Sequence, residues 1–269
     1  MIRARFAELY TKETLQALYS IMDQKELAKA TGFSSRYIQR WIKKWDIQKR
    51  ASGRSCPWTL LDEDTELINY FGGFGYADGC LAKTSITGYM FKLALSEKDQ
   101  STINILHNSI VGSKYYEYID GVGKRMVSLT LNGIDLPEKL LRFGITSGKR
   151  YNWTRPTISD EMLPHFLRGW FDGDGYIGKD KWVMVLTNIN KEAIEYFDEK
   201  IRFLGYTPDL KWSNKSQPPP NHIKEYKYGD NKTVYRHIIT GKKNCKMLYS
   251  ILKGDSALRL DRKWSLLER

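Results

Sequence analysis

Apolar positions along this chain change regime near residue 50. Before it, the spacing is helical throughout. KETLQALYSIM puts Leu15, Leu18, Tyr19 and Met22 at i, i+3, i+4 and i+7, the stripe of an amphipathic helix. QKELAKA continues as a second helix, TGF breaks it, and SSRYIQRWIKKW predicts a third, with Ile38, Trp41, Ile42 and Trp45 on one face. Gly32 stands where a tight turn between helices needs a positive φ, and Ser34 can act as an N-cap. QKRASGRSCPW, residues 48–58, has no periodicity and reads as a basic linker, its 51–58 part lying between domains.

Beyond the linker the pattern occurs twice. DEDTELINYFGGFGYADGCL predicts a helix running into a strand, and SDEMLPHFLRGWFDGDGYIG predicts the same again. Strand-like text follows each (TGYMFKLALS; WVMVLTNI). Next comes a helix, with Ile103, Leu106 and Ile110 in one copy and Ile194, Phe197, Ile201 and Leu204 in the other. A strand pair (KYYEYID and KRMVSLTLN; TPDLKWS and VYRHIITG) and a last helix (DLPEKLLRFG; KNCKMLYSILK) complete each copy. NKSQPPPNHIKEYKYGDN reads as a loop between the third and fourth strands of the second copy. The expected fold is therefore α+β. Two pseudo-symmetric αββαββα repeats, 59–156 and 157–269, follow a small all-α domain, 1–50.

The copies are in register: Gly73 and Gly169, Ala77 and Gly173, Asp78 and Asp174, and Gly79 and Gly175 are each 96 residues apart. Within each motif helix the small pair (Gly73 and Ala77, Gly169 and Gly173) shares one face. Each glycine costs a helix about 1 kcal/mol relative to alanine. That cost makes sense where two helices press backbone to backbone along small-x-x-x-small faces. Asp78 and Asp174 precede Gly79 and Gly175, which fit left-handed helix stops. A carboxylate at a helix C-terminus meets the negative end of the dipole, and two such acids brought together repel. A divalent cation reverses both penalties, and oxygen-only ligands favour a hard ion such as Mg²⁺.

Composition narrows the partner. Net charge is +12 and the pI about 9.4. Residues 1–56 carry 12 Lys/Arg against 5 Asp/Glu, residues 57–156 carry 11 of each, and the remainder is again basic. Basic ends around a neutral middle, with 13% aromatic residues, favour nucleic acid over an anionic membrane. Cys56, Cys80 and Cys245 are scattered and odd in number, so a reducing compartment is expected and a cysteine-based zinc site is not. The four histidines show no ligand spacing. No apolar run suits a membrane span and the N-terminus has no signal-like stretch, so a cytoplasmic, DNA-associated, non-secreted protein is expected.

Two resemblances follow from these residues. Residues 1–50 resemble a helix-turn-helix, with Ala28 small at the helix crossing. Ser35, Arg36, Gln39, Arg40 and Lys43 then lie where a recognition helix meets the major groove. A plain helical bundle with a basic surface is the alternative. FGGFGYADG (71–79) and LRGWFDGDG (167–175) resemble the two motifs of a single-chain LAGLIDADG homing endonuclease, and the resemblance covers about 60–269. It implies that Asp78 and Asp174 bind the catalytic metals, with Ala77 and Gly173 beside them. The implied ions are Mg²⁺, with Mn²⁺ as a substitute, two or three of them at the repeat interface. It implies further that the sheets form a saddle on a long, imperfectly palindromic double-stranded DNA target, cut by a monomer to leave short 3′ overhangs. Lys149, with Arg150 adjacent, and Lys263 match the family's basic residues near the scissile phosphate. Glu97 and Asn188 match polar positions that orient water in some relatives. The first motif departs at Tyr76, where the second has Asp172, and a change of packing rather than chemistry is expected there.

The leading function is thus metal-dependent, site-specific hydrolysis of DNA. A transcription regulator on the same scaffold and an RNA-splicing maturase are the alternatives. An intein is not expected, because MIRAR and SLLER lack splice-junction chemistry.

Overall fold

Gly32 adopts φ +73° and turns the chain between two helices, as only glycine does without strain. Among the helices of the described residues these follow α1 (Lys12–Ile21) and are α2 (Gln24–Thr31) and α3 (Ser35–Lys44). Ser34 caps α3, its hydroxyl accepting from the Tyr37 amide at 3.3 Å. Phe6, Leu15, Leu27, Ile38, Ile42 and Ile47 form a buried cluster, with Trp41 and Trp45 packed on its edge. The Phe6 ring stacks on Trp41 at 5.5 Å between centroids. The computed structural model describes residues 6, 9–21, 24–47, 58–84, 88–148, 152–179, 181–208, 221–228 and 232–268. The chain divides into two compact units, Met1–Cys56 and Pro57–Arg269, and these helices are the first.

The second unit runs through the same order of elements twice. Its first half is α4 (Glu66–Asp78), β1 (Gly79–Lys83), β2 (Tyr89–Ser96), α5 (Gln100–Ser109), β3 (Lys114–Ile119), β4 (Arg125–Gly133) and α6 (Leu136–Leu141). Its second half is α7 (Leu163–Asp174), β5 (Gly175–Ile177), β6 (Val183–Asn188), α8 (Lys191–Phe203), β7 (Asn221–Tyr228), β8 (Lys232–Thr240) and α9 (Lys242–Ile251), followed by α10 (Asp261–Trp264). Each half builds an antiparallel four-stranded sheet, ordered β1-β2-β4-β3 and β5-β6-β8-β7. Period-2 alternation turns Phe91, Leu93 and Leu95 of β2, Val127, Leu129 and Leu131 of β4, and Met184 and Leu186 of β6 into the core.

Two expectations are corrected. Gly79 and Gly175 end their helices at φ −75° and −85°, in extended backbone rather than the left-handed region. Each helix passes straight into its strand, so the joint has strand geometry. Glycine supplies room there instead of a turn. A Cβ on Gly79 would lie 2.4 Å from the Phe91 ring and 2.5 Å from the Gly75 carbonyl, and one on Gly175 would lie 2.3 Å from the Phe171 carbonyl. The third strand of the second half is Asn221–Tyr228, inside the segment read as a loop. Of the strand expected over 207–213, residues 207 and 208 are irregular and the rest lie outside the described residues. The physical reason is pairing. HIKEYKY sits close enough to β8 for Tyr228 to face Lys232 across a short hairpin, while the prolines at 218–220 lack the N–H that a ladder requires.

Candidate active site

The site is built on the α4–α7 pair. Thr65 starts α4 by accepting from the Ile68 amide, and the two helices meet along their small residues. A Cβ on Gly73 would stand 1.9 Å from the Phe166 carbonyl oxygen, and one on Gly169 would stand 2.1 Å from that of Tyr70. One on Gly173 would overlap the Ala77 Cβ at 2.2 Å. Backbone therefore touches backbone, as the small-residue spacing predicts. The approach brings the C-terminal ends of α4 and α7 together, with Asp78 exposed and Asp174 half-buried. An Asp78 carboxylate oxygen lies 3.1 Å from the point a Gly173 Cβ would occupy.

Asp174 is held by two neutral donors. Trp170 Nε1, one turn earlier on α7, reaches its Oδ2 at 3.2 Å, and Asn188 Nδ2 at the end of β6 reaches the same oxygen at 3.3 Å. Asn188 is itself fixed, its Oδ1 accepting from the Asn190 amide at 2.9 Å. A cleft of about 320 Å³ opens beside them, lined by Tyr76, Trp153, Thr187, Asn188 and Asp174 among others.

Lys263 is buried beneath the same helix end. Its Nζ donates to the carbonyls of Asp172 (2.5 Å), Gly175 (2.6 Å), Phe171 (3.3 Å) and Gly173 (3.4 Å). An ammonium among the last carbonyls of a helix offsets the negative end of its dipole. Burial lowers the Lys263 pKa, and the nearby charges of Asp172, Asp78 and Asp174 oppose that shift. Asp172 accepts from Tyr70 Oη (2.9 Å), the Leu260 amide (3.0 Å) and Trp264 Nε1 (2.6 Å). Burial pushes its pKa up to about 6 against the pull of Lys263 and these donors. Tyr76, at the matching place in the first motif, packs edge-on against Trp170 with centroids 4.7 Å apart. One turn before Asp172, the fully buried Arg168 donates to the carbonyls of Leu258, Leu252 and Lys253 and to Glu66. The 252–264 segment is thereby tied along α7.

The remaining expected residues are dispersed. Glu97 lies just past β2, exposed, paired with Arg125 at 3.3 Å. By strand register the counterpart of Asn188 is Leu95, since Gly79 pairs with Leu93 and Gly175 with Leu186. Lys149 and Arg150 lie outside the described residues. In the first unit Arg36, Gln39, Arg40 and Lys43 are exposed along α3 and Ser35 is half-buried at its start. Gln24 links α2 to α3 by donating to the Ser35 carbonyl and accepting from Gln39. Trp170 escaped the sequence reading, although a tryptophan four residues before a motif acid is a readable i, i+4 pair.

Two features outside the helix pair bear on a polyanionic ligand. A cleft of about 1000 Å³ runs between the halves, lined by Lys98, Lys179, Lys181 and Lys263 and by Arg262, which is paired with Asp99 of the same cleft. On the second sheet, Lys224 and Arg236 face each other across β7 and β8, opposite the core side that carries His237 and Ile239, and both lie over the Tyr226 ring.

The donor set suits a hard cation: two carboxylates, Asp78 and Asp174, at abutting helix ends. Among the described residues, no group of three or more His, Cys, Asp or Glu gathers as a cage. Mg²⁺ characteristically takes one or two carboxylates and completes its shell with water and phosphate oxygens, so the arrangement fits that ion.

No described helix is long and apolar enough to cross a membrane. No family model matches the chain. DNA-directed RNA polymerase subunit Rpo1C of Methanocaldococcus jannaschii is 29% identical over 154 residues, 55% of this chain but 17% of that protein. Among solved structures, I-DmoI in complex with DNA and Ca is similar over 77% of this chain and 99% of its own, at 18% identity and a TM-score of 0.49. Full-length DUF199/WhiA from Thermatoga maritima is similar over 82% of this chain and 66% of its own, at 14% identity and a TM-score of 0.47.

Proposed function

We propose that this chain is a LAGLIDADG-type, site-specific endonuclease that hydrolyses both strands of a DNA target with divalent metal. The observation that carries the reading is the pair of abutting helices ending in Asp78 and Asp174. In this reading the two halves are pseudo-symmetric repeats, and their sheets straddle the duplex as a monomeric saddle. Lys224, Arg236 and the cleft lysines Lys98, Lys179 and Lys181 meet phosphates. Asp78 and Asp174, with the Ala77 and Gly173 carbonyls beside them, hold Mg²⁺ or Mn²⁺. Bound metal supplies Lewis-acid stabilisation of the attacking and leaving oxygens. Lys263 neutralises the end of α7 beside Asp174. Lys149 is the cation assigned to the phosphate in the first half, and Glu97 and Asn188 are the polar residues assigned to the water. The first unit is a helix-turn-helix that reads flanking DNA through Ser35, Arg36, Gln39, Arg40 and Lys43, and the protein acts in a DNA-containing, reducing compartment.

One observation favours a second reading, a DNA-binding regulator on the same scaffold. Lys263 is engaged by four carbonyls and buried, which withdraws it from a phosphate. The test is direct. Purified protein is incubated with a randomised duplex library and Mg²⁺, and new ends are sequenced. Recurrent paired ends with a short 3′ overhang are expected. Selective retention of a sequence without new ends would instead establish the regulator.

A further inference from the structure

Two side chains from different elements, α7 and β6, converge on one motif acid. Trp170 Nε1 and Asn188 Nδ2 converge on one oxygen of Asp174, at 3.2 and 3.3 Å. Both donors are themselves anchored. The Trp170 indole is fully buried between Tyr76 and Phe197, in edge contacts at 4.7 and 5.5 Å, and Asn188 is tied to the Asn190 amide. In the first half the corresponding positions are Phe74, 96 residues before Trp170, and Leu95, by strand register. Neither side chain carries a hydrogen-bond donor.

We propose that Trp170 and Asn188 are positioning residues that fix the Asp174 carboxylate through its Oδ2 in the orientation a divalent cation requires. This deepens the endonuclease reading and rests on it. Donors that hold a ligating carboxylate define its rotamer before metal arrives, and their loss characteristically lowers metal affinity 10- to 100-fold. Tyr76 takes part at one remove. The residue that departs from the first motif's usual acid forms a wall of the slot for Trp170, so a change in one motif secures the acid of the other.

The test uses the full chain with Trp170→Phe and Asn188→Leu, the second copying the first half's own residue at a half-exposed position. Two readouts are taken. Tb³⁺ titration of the protein alone, followed by displacement with Mg²⁺, measures metal affinity without turnover. Nicking of each strand of a doubly labelled target then gives two rates. Each variant is expected to weaken metal binding about tenfold and to slow one strand more than the other, with rising Mg²⁺ restoring the slow strand. A merely structural role would lower the melting temperature and slow both strands equally, without rescue by Mg²⁺. Should Trp170→Phe fail to fold, Asn188→Leu alone decides. Unchanged Tb³⁺ affinity together with an unchanged strand ratio overturns the proposal. A wild-type protein that cuts no DNA but still loses Tb³⁺ affinity on Asn188→Leu overturns the endonuclease reading while leaving the positioning of Asp174 intact.

Discussion

Alanine in place of Gly73 is the smallest change that tests the helix pair. On an exposed helix it would stabilise by about 1 kcal/mol. Here the new Cβ falls 1.9 Å from the Phe166 carbonyl oxygen and 2.8 Å from the Trp170 amide nitrogen. Both obstacles are backbone, so no side chain can swing aside, and the helices must part by about an ångström to restore ordinary contact. Because Gly169 makes the reciprocal contact with the Tyr70 carbonyl, that movement opens the whole seam. Overpacking of this kind costs about 3 kcal/mol, at the upper end of the usual range because the obstacle is rigid. Set against the propensity gain, the net loss is about 2 kcal/mol. In a unit of roughly 200 residues this lowers Tm by about 4–8 °C. Gly121→Ala is the control, since nothing lies within 4 Å of its Cβ position. Gly73→Leu and Gly169→Leu should be worse still. Differential scanning calorimetry reads all four, and a Gly73→Ala protein melting at or above the Gly121→Ala control would refute backbone contact between α4 and α7.

Other outcomes follow from the same geometry. Asp78→Asn or Asp174→Asn should abolish double-strand cleavage while DNA affinity, by gel shift, stays within a few fold; equal loss of both would sink the metal role. Lys263→Met strips the donor from four carbonyls and should cost about 1–3 kcal/mol in chemical denaturation, which an unchanged midpoint would contradict. The Asp172 pKa is raised to about 6, so its protonated form is favoured in the folded state. Its contribution to stability is present at low pH and is lost as pH rises through about 6. Denaturation midpoints of wild type minus Asp172→Asn should fall from pH 4 to pH 6, and a difference flat with pH would exclude this. Removing residues 1–50 should weaken DNA binding and flatten its salt dependence, by fluorescence anisotropy across a salt series, because net positive charge leaves with them. An unaltered footprint and slope would show that this unit does not touch DNA.

The sequence reading reached the fold through residues whose chemistry is local. Gly73, Ala77, Gly169 and Gly173 announce a close helix contact by spacing alone, and Gly32 and Ser34 mark their turn and cap unambiguously. What it missed depends on partners distant in the chain. Gly79 and Gly175 were readable as special, but the crowding that makes them so comes from Phe91 and from each helix's own carbonyls, which sequence does not locate. The strand Asn221–Tyr228 was hidden by composition, since IKEYKY is charged and follows three prolines. It is a strand because β8 offers it a ladder. Lys263 was legible as a basic residue after the last helix, yet its lodging among the α7 carbonyls depends on the path of residues 252–264.

That path governs the order in which the molecule can assemble. Arg168 sits at the middle of α7, and the three carbonyls that replace its hydration come from residues 84, 85 and 90 positions later. Stripping a guanidinium of water without those acceptors costs several kcal/mol. The first half finds its sheet and helix contacts within 59–156 and can form them early. The full set of acceptors for Arg168 on the seam between α4 and α7 is complete only when the chain returns through 252–258, a closure over many residues of the kind that slows folding. Lengthening or shortening the 252–258 segment, remote in sequence from either motif, should therefore act on the refolding rate of the helix pair itself, because it shifts the carbonyls that Arg168 requires.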